Sequence, residues 1–123
     1  MPWTNMNREI EYNYENAGKD ELRTLSYSEA IREALIQAMT LDKNVFIMGQ
    51  GINDKIGMFG ATTDIYKQFG EDRVFDTPLA ETGLTGMAVG AALNGLRPIY
   101  CHNRPDFLML AMDQIVNHAS KYN

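Results

Sequence analysis

Three short apolar runs, set apart by stretches with a helical period, constrain this chain most. In Asn44 to Met48, the residues Val45, Phe46, Ile47 and Met48 are consecutively apolar, as in a strand covered on both faces, and Gly49 and Gly51 follow as a turn. Val74 and Phe75 begin a second strand, and Arg97 to Cys101 reads as a third. Ahead of the first run, Ser26 and Glu29 form an S-x-x-E capping box, in which each side chain satisfies a backbone N–H of the first helical turn. The helix it opens repeats Tyr27, Ala30, Ile31, Ala34, Leu35, Ala38 and Met39 at three-four spacing, a face expected to lie on a sheet. A short helix over 61–69 is expected to stop at Gly70, a residue suited to the turn just past a helix end. Helices are also expected from Glu81 to Asn94 and from Asp106 to Lys121. This alternation predicts an α/β fold: a parallel sheet with helices on both faces. Ligands then meet the loops beyond the carboxyl ends of the strands, here 49–60, 76–82 and 102–106.

The 123 residues suffice for one domain with a modest core. Residues 1–23 lack a sustained apolar period and read as an N-terminal tail or arm, with Trp3, Tyr12 and Tyr14 favouring an arm; 24–123 reads as the domain. A net charge of −5 offers no basic footprint for nucleic acid. No apolar stretch approaches the roughly 18 residues of a membrane span. Cys101 is the single cysteine, which excludes an intrachain disulfide and makes a reducing cytoplasm the expected location.

Familiar chemical motifs are sparse. Gly49 and Gly51 follow a strand, but neither a G-x-G-x-x-G fingerprint nor a G-K-[ST] phosphate cradle is present. His102 and His118 stand outside any H-E-x-x-H pattern, so a polar or packing role is expected of both. Cys101 lacks a recognisable base partner and is expected to be a small core residue at a strand end. The most informative run is DTPLAETGLTGMAVGAALNGLRPIY, from Asp76 to Tyr100.

With TLSYSEAIREAL, DKNVFIMGQ and FGEDRVFDTPLAE before it and AMDQIVNHASKY after it, this run resembles the beta subunits of thiamine-diphosphate-dependent 2-oxo acid dehydrogenases and the corresponding transketolase module. The blocks fall in order over about four-fifths of the chain. The resemblance implies the front part of the pyrimidine-binding module of the thiamine diphosphate-binding fold, incomplete at its C-terminus. It implies that this module binds the cofactor's aminopyrimidine, while an alpha-type partner subunit holds the diphosphate and its Mg2+ in a shared site. By position, Glu81 matches the glutamate that hydrogen-bonds the pyrimidine, and Phe107 the aromatic residue that stacks on it. Leu79 maps to the pyrimidine-side loop, and Asn103 to a position lining the same pocket.

A carboxyl group suits that task because exchanging a proton with the ring nitrogen favours the imino form of the neighbouring amine, which promotes ylide formation for decarboxylation or ketol transfer. The implied substrate is a 2-oxo acid or a ketose, and the implied assembly a homo- or hetero-oligomer. On its own, Glu81 would be read as a carboxylate favoured by a helix N-terminus, and Phe107 as core beside Leu108, Ala111, Met112, Ile115 and Ala119. Gly83, Gly86 and Gly90 fall along one side of the helix after Glu81 and are expected to allow close packing, against another subunit in particular. The chain departs from the family at Gln50, where the beta subunits commonly carry an acid, and at His102 to Phe107, which is less apolar than usual. The family's module also continues past Asn123 to a histidine that handles substrate protons. These departures leave open a non-catalytic scaffold or regulatory module of the same fold.

Overall fold

The computed structural model describes residues 24–122; the tail expected over 1–23 lies outside them. Helix α1 spans Tyr27–Leu41 and opens with the expected capping box: the Glu29 amide donates to Ser26 Oγ at 3.4 Å, and the Ser26 amide donates to Glu29 Oε2 at 2.8 Å. Its apolar face is used only in part. Leu35, Ile36, Ala38 and Met39 reach the core, whereas Ala30 and Ala34 are exposed and Tyr27 is 85% exposed. The early turns therefore do not cover the sheet as the periodicity suggested.

Strand β1, Val45–Gly49, is central in a parallel sheet of order β2-β1-β3, with β2 at Val74–Asp76 and β3 at Arg97–Cys101. Parallel strands cannot be joined by a tight turn, so each connection returns over a face through a helix: α2, Ile65–Phe69, before β2, and α3, Glu81–Leu93, before β3. The register places Ile47 opposite Val74 and Ile99, and Gly49 opposite Asp76 and Cys101.

Side chains alternate across a strand, so this register sorts them onto two faces. Val45, Ile47 and Val74 pack with Met39 of α1 and Ile65 of α2, with Ile99 and Cys101 at the margin. Phe46 and Phe75 stack on the opposite face, ring centroids 5.7 Å apart. Pro98 and Tyr100 share the parity of Phe46 and Met48, which directs them to that second face.

Two expected helices are altered. The one over 61–69 is confined to Ile65–Phe69, because Thr62 and Asp64 do other work. The buried Thr62 hydroxyl accepts from the Met58 amide at 2.7 Å, and Asp64 takes a left-handed conformation with φ 62° ahead of the first turn. The one expected over 106–121 changes winding along its length. An α-helical turn, α4, at Pro105–Leu108 passes into a 3₁₀ turn at Met109–Ala111 and then a π-helical stretch at Gln114–Ala119. The Leu110 carbonyl accepts from Thr82 Oγ at 2.6 Å, and a carbonyl drawn to an outside hydroxyl is a known cause of irregular winding.

Candidate functional site

All three strands end at one level, and the loops that follow them form a rim. At its centre Gln50 follows β1. Its Nε2 donates to the Pro78 carbonyl at 3.4 Å, and its Oε1 accepts from Asn103 Nδ2 at 3.4 Å. One amide thus spans the loops after β1, β2 and β3. The chain leaves β1 toward β2 and crosses back to β3, so the gap between β1 and β3 is the switch point where open α/β sheets receive ligands. A cleft of about 460 Å3 opens there, lined by Gln50, Asp54, Lys55, Met58, Phe59 and Asn103 among others.

The loop from 50 to 64 that walls this cleft is built into the protein. Ile52 is 1% exposed, and its carbonyl accepts from Thr62 Oγ1 at 3.5 Å. Gly57, with φ 64°, sits where a Cβ would come within 2.6 Å of the Thr63 amide nitrogen, so glycine is required by conformation and by space.

On the α3 face the rim holds a buried carboxylate. Glu81, the first residue of α3, is only 8% exposed, and among the described residues no Lys or Arg pairs with it. Thr85 lies one turn further along the same helix face, also 8% exposed, and its hydroxyl finds no partner among the described residues. Thr77 Oγ1 and His102 Nδ1 are likewise buried and unpartnered there. The Glu81 charge reaches the end of β3. Burial raises the Tyr100 phenol above its ordinary value and the Glu81 carboxylate adds to the rise. Burial lowers the His102 imidazole while Glu81 opposes that shift.

The four residues expected to contact a cofactor divide. Asn103 is half-buried and tied through Gln50 to Pro78, beside Leu79. Leu79 itself is 74% exposed on the rim. Phe107 is half-buried in α4, and among the described residues no ring contact joins it to another aromatic side chain. Tyr100 and His102, whose rings lie 4.2 Å apart, are neighbours of Glu81 that sequence reading did not connect to it. Their i, i+2 spacing at the end of a strand was the available signal.

Other candidates resolve plainly. Burial pushes the Cys101 thiol up to about 11, as expected of a core cysteine at a strand end. His118 lies 3.8 Å from Asp113 at the surface, and no group of His, Cys, Asp and Glu among the described residues could hold a metal. Of the α3 glycines, Gly86 would meet Gln114 Oε1 at 3.1 Å, while a Cβ at Gly83 or Gly90 would find nothing within 4 Å.

A profile described as "Transketolase, pyrimidine binding domain" matches residues 23–123. The chain belongs to the transketolase pyrimidine-binding domain family. Its relatives include the 2-oxoisovalerate dehydrogenase subunit beta of Bacillus subtilis (strain 168), 44% identical over 81% of this chain and 31% of the relative. The pyruvate dehydrogenase E1 component subunit beta of Rhizobium meliloti (strain 1021) is 41% identical over 82% of this chain and 22% of the relative. A mitochondrial pyruvate dehydrogenase E1 component subunit beta-1 of Oryza sativa subsp. japonica is 39% identical over 82% and 27%. This pyrimidine-binding domain therefore spans less than a third of the length of these curated relatives. Among its described residues no helix is long and apolar enough to cross a membrane.

Proposed function

We propose that the chain is the pyrimidine-binding part of a beta-type component of a thiamine-diphosphate-dependent 2-oxo acid dehydrogenase. The observation that carries this reading is the burial of Glu81 without a basic partner among the described residues. A buried carboxylate retained for structure is normally paired, because its desolvation is otherwise uncompensated. One left unpaired at the carboxyl edge of a parallel sheet is instead a group available to a ligand. The unpartnered Thr85 hydroxyl nearby suits a polar heterocycle, and the half-buried Phe107 suits an aromatic surface against which it would lie.

In this reading Glu81 holds or yields a proton at a pyrimidine nitrogen, Phe107 packs on the ring, and Leu79 and Asn103 line the entrance. Thiamine diphosphate, when bound, supplies the carbanion chemistry that breaks a bond beside a carbonyl. The protein's own contribution is proton placement and the exclusion of water by the α3 face. An alpha-type subunit would hold the diphosphate and Mg2+. The exposed Met87 and Leu93 of α3, with Met109 and Leu110 after α4, support burial against other subunits, and the open Gly83 and Gly90 positions suit the same contact. A 2-oxo acid is the substrate class favoured by the beta-subunit relatives, with a ketose as the counterpart for a transketolase. The lone Cys101 suits a reducing compartment, and we assign the cytoplasm.

A second reading, a scaffold or regulatory module, is favoured by Gln50, whose amide is engaged in bridging the rim and cannot carry a proton as an acid there would. One experiment separates the two: solution mass and thiamine diphosphate titration, on this chain alone and with the alpha-type protein encoded beside it. Magnesium-dependent binding that appears in the mixture and weakens in Glu81→Ala supports the catalytic reading. A stable assembly that binds no cofactor favours the scaffold.

A further inference from the structure

His102 is the first residue after β3, and strand alternation carries it to the same side as Tyr100, toward the face that α3 covers. Its ring lies 4.2 Å from that of Tyr100 and within the field of the Glu81 carboxylate. Of its two nitrogens, only Nδ1 belongs to the buried atoms without a partner among the described residues, which leaves Nε2 as the nitrogen an incoming molecule can reach.

Elementary chemistry then fixes where the proton sits. A buried lone pair without a donor costs less than a buried N–H without an acceptor, so the neutral ring carries its proton on Nε2. A second proton at Nδ1 would bury both a charge and an unsatisfied donor. Burial lowers the pKa of His102, which agrees, although the facing carboxylate of Glu81 on α3 works against it; among the described residues the Tyr100 phenol is the other titratable group against the ring.

We propose that His102 is a positioning residue beside the buried Glu81 carboxylate: a neutral imidazole whose Nε2–H donates a hydrogen bond to an acceptor atom of the bound ligand. This rests on the proposed role of Glu81 in cofactor binding. The acceptor is a carbonyl or carboxylate oxygen of a 2-oxo acid, or a ring nitrogen of the pyrimidine; both present a lone pair to an N–H. Phenylalanine at this position would fill the same space but offer no donor, so the residue adds a polar contact that shape alone does not require.

The test uses the full chain labelled with 15N-histidine, in which His102 and His118 are the two signals and His102→Phe assigns them. At pH 8 the nitrogen shifts should show His102 protonated at Nε2; a proton on Nδ1 overturns the proposal. In the complex with the alpha-type protein, His102→Phe should then raise KM for pyruvate or 2-oxoisovalerate roughly tenfold, more than it lowers kcat, the loss of one hydrogen bond. His102→Asn, which keeps a donor, should recover part of that loss. If calorimetry instead shows the same weakening for thiamine diphosphate before any oxo acid is added, the acceptor is the pyrimidine nitrogen. Unchanged cofactor affinity together with unchanged KM in a folded His102→Phe complex overturns the proposal while the wild type still binds cofactor. A wild-type complex that binds no cofactor overturns the proposed role of Glu81 itself.

Discussion

Arg73 grips the carbonyl oxygen of Val45 with two nitrogens, Nε at 3.0 Å and Nη2 at 2.7 Å. The same Nη2 lies 2.8 Å from the Met39 carbonyl and 2.9 Å from that of Asp42, so one guanidinium joins the end of α1 to the start of β1. Its plane also sits over the Phe69 ring, 5.2 Å from the centroid. Arg73→Ala removes charge-assisted hydrogen bonds and should cost about 2–3 kcal/mol, measured by urea unfolding. Arg73→Lys should recover only part of this, because an ammonium lacks the planar fork. Equal midpoints for all three proteins would show that water satisfies these carbonyls equally well.

The capping box gives a pH-dependent contribution to the start of α1. The Ser26 hydroxyl and amide hold the Glu29 carboxyl below its ordinary range. A lowered acid pKa stabilises the fold above its unfolded value, and that contribution is lost as pH falls through the folded one. Ser26→Ala should destabilise by about 1 kcal/mol at pH 7 and by less in acid, read from thermal midpoints across pH.

Cys101 should be a slow thiol. With its pKa pushed up to about 11 by burial, the reactive thiolate is about one part in a thousand at pH 8. Alkylation by iodoacetamide should therefore lag well behind that of a free cysteine, then accelerate in urea as the strand end opens. A rapid reaction of the folded chain would contradict the packing of Cys101 against the core.

Gly49 is bounded by the neighbouring strand. A Cβ there would stand 2.5 Å from the Cys101 carbonyl oxygen and 3.1 Å from its Cβ. Gly49→Ala should force β1 and β3 apart at the rim, lowering stability by about 1–3 kcal/mol in denaturant titration. Tolerance of alanine without loss would mean that the strand end relaxes freely.

Strand order along the chain and the parallel class were legible because Val45 to Met48 and Arg97 to Cys101 are short, apolar and separated by helical periods. Glu81 was legible only through its surrounding blocks, since a glutamate at a helix start is commonplace. What escaped reading depends on partners distant in sequence. Tyr27 fits the apolar period of α1, yet the sheet does not extend beneath it. Nothing local to Leu110 announces that Thr82 will draw on its carbonyl. His102 joined Glu81 only once the register showed which face of β3 meets α3. Thr62 would pass for a helix residue until its hydroxyl is seen holding the Met58 amide.

The level ending of the strands separates two kinds of change open to this protein. Gly49, Asp76 and Cys101 close the sheet in one plane, and the Thr77 amide adds a bond to the Gly49 carbonyl at 3.0 Å where the rim begins. The segment after β1 is nonetheless anchored, through Ile52 and Thr62, in the same core as the sheet. The segments 77–80 and 102–104 carry no such anchor in that core. Selectivity can thus drift at those two stretches almost independently of folding, whereas the first loop must vary in step with the hydrophobic centre it helps to build.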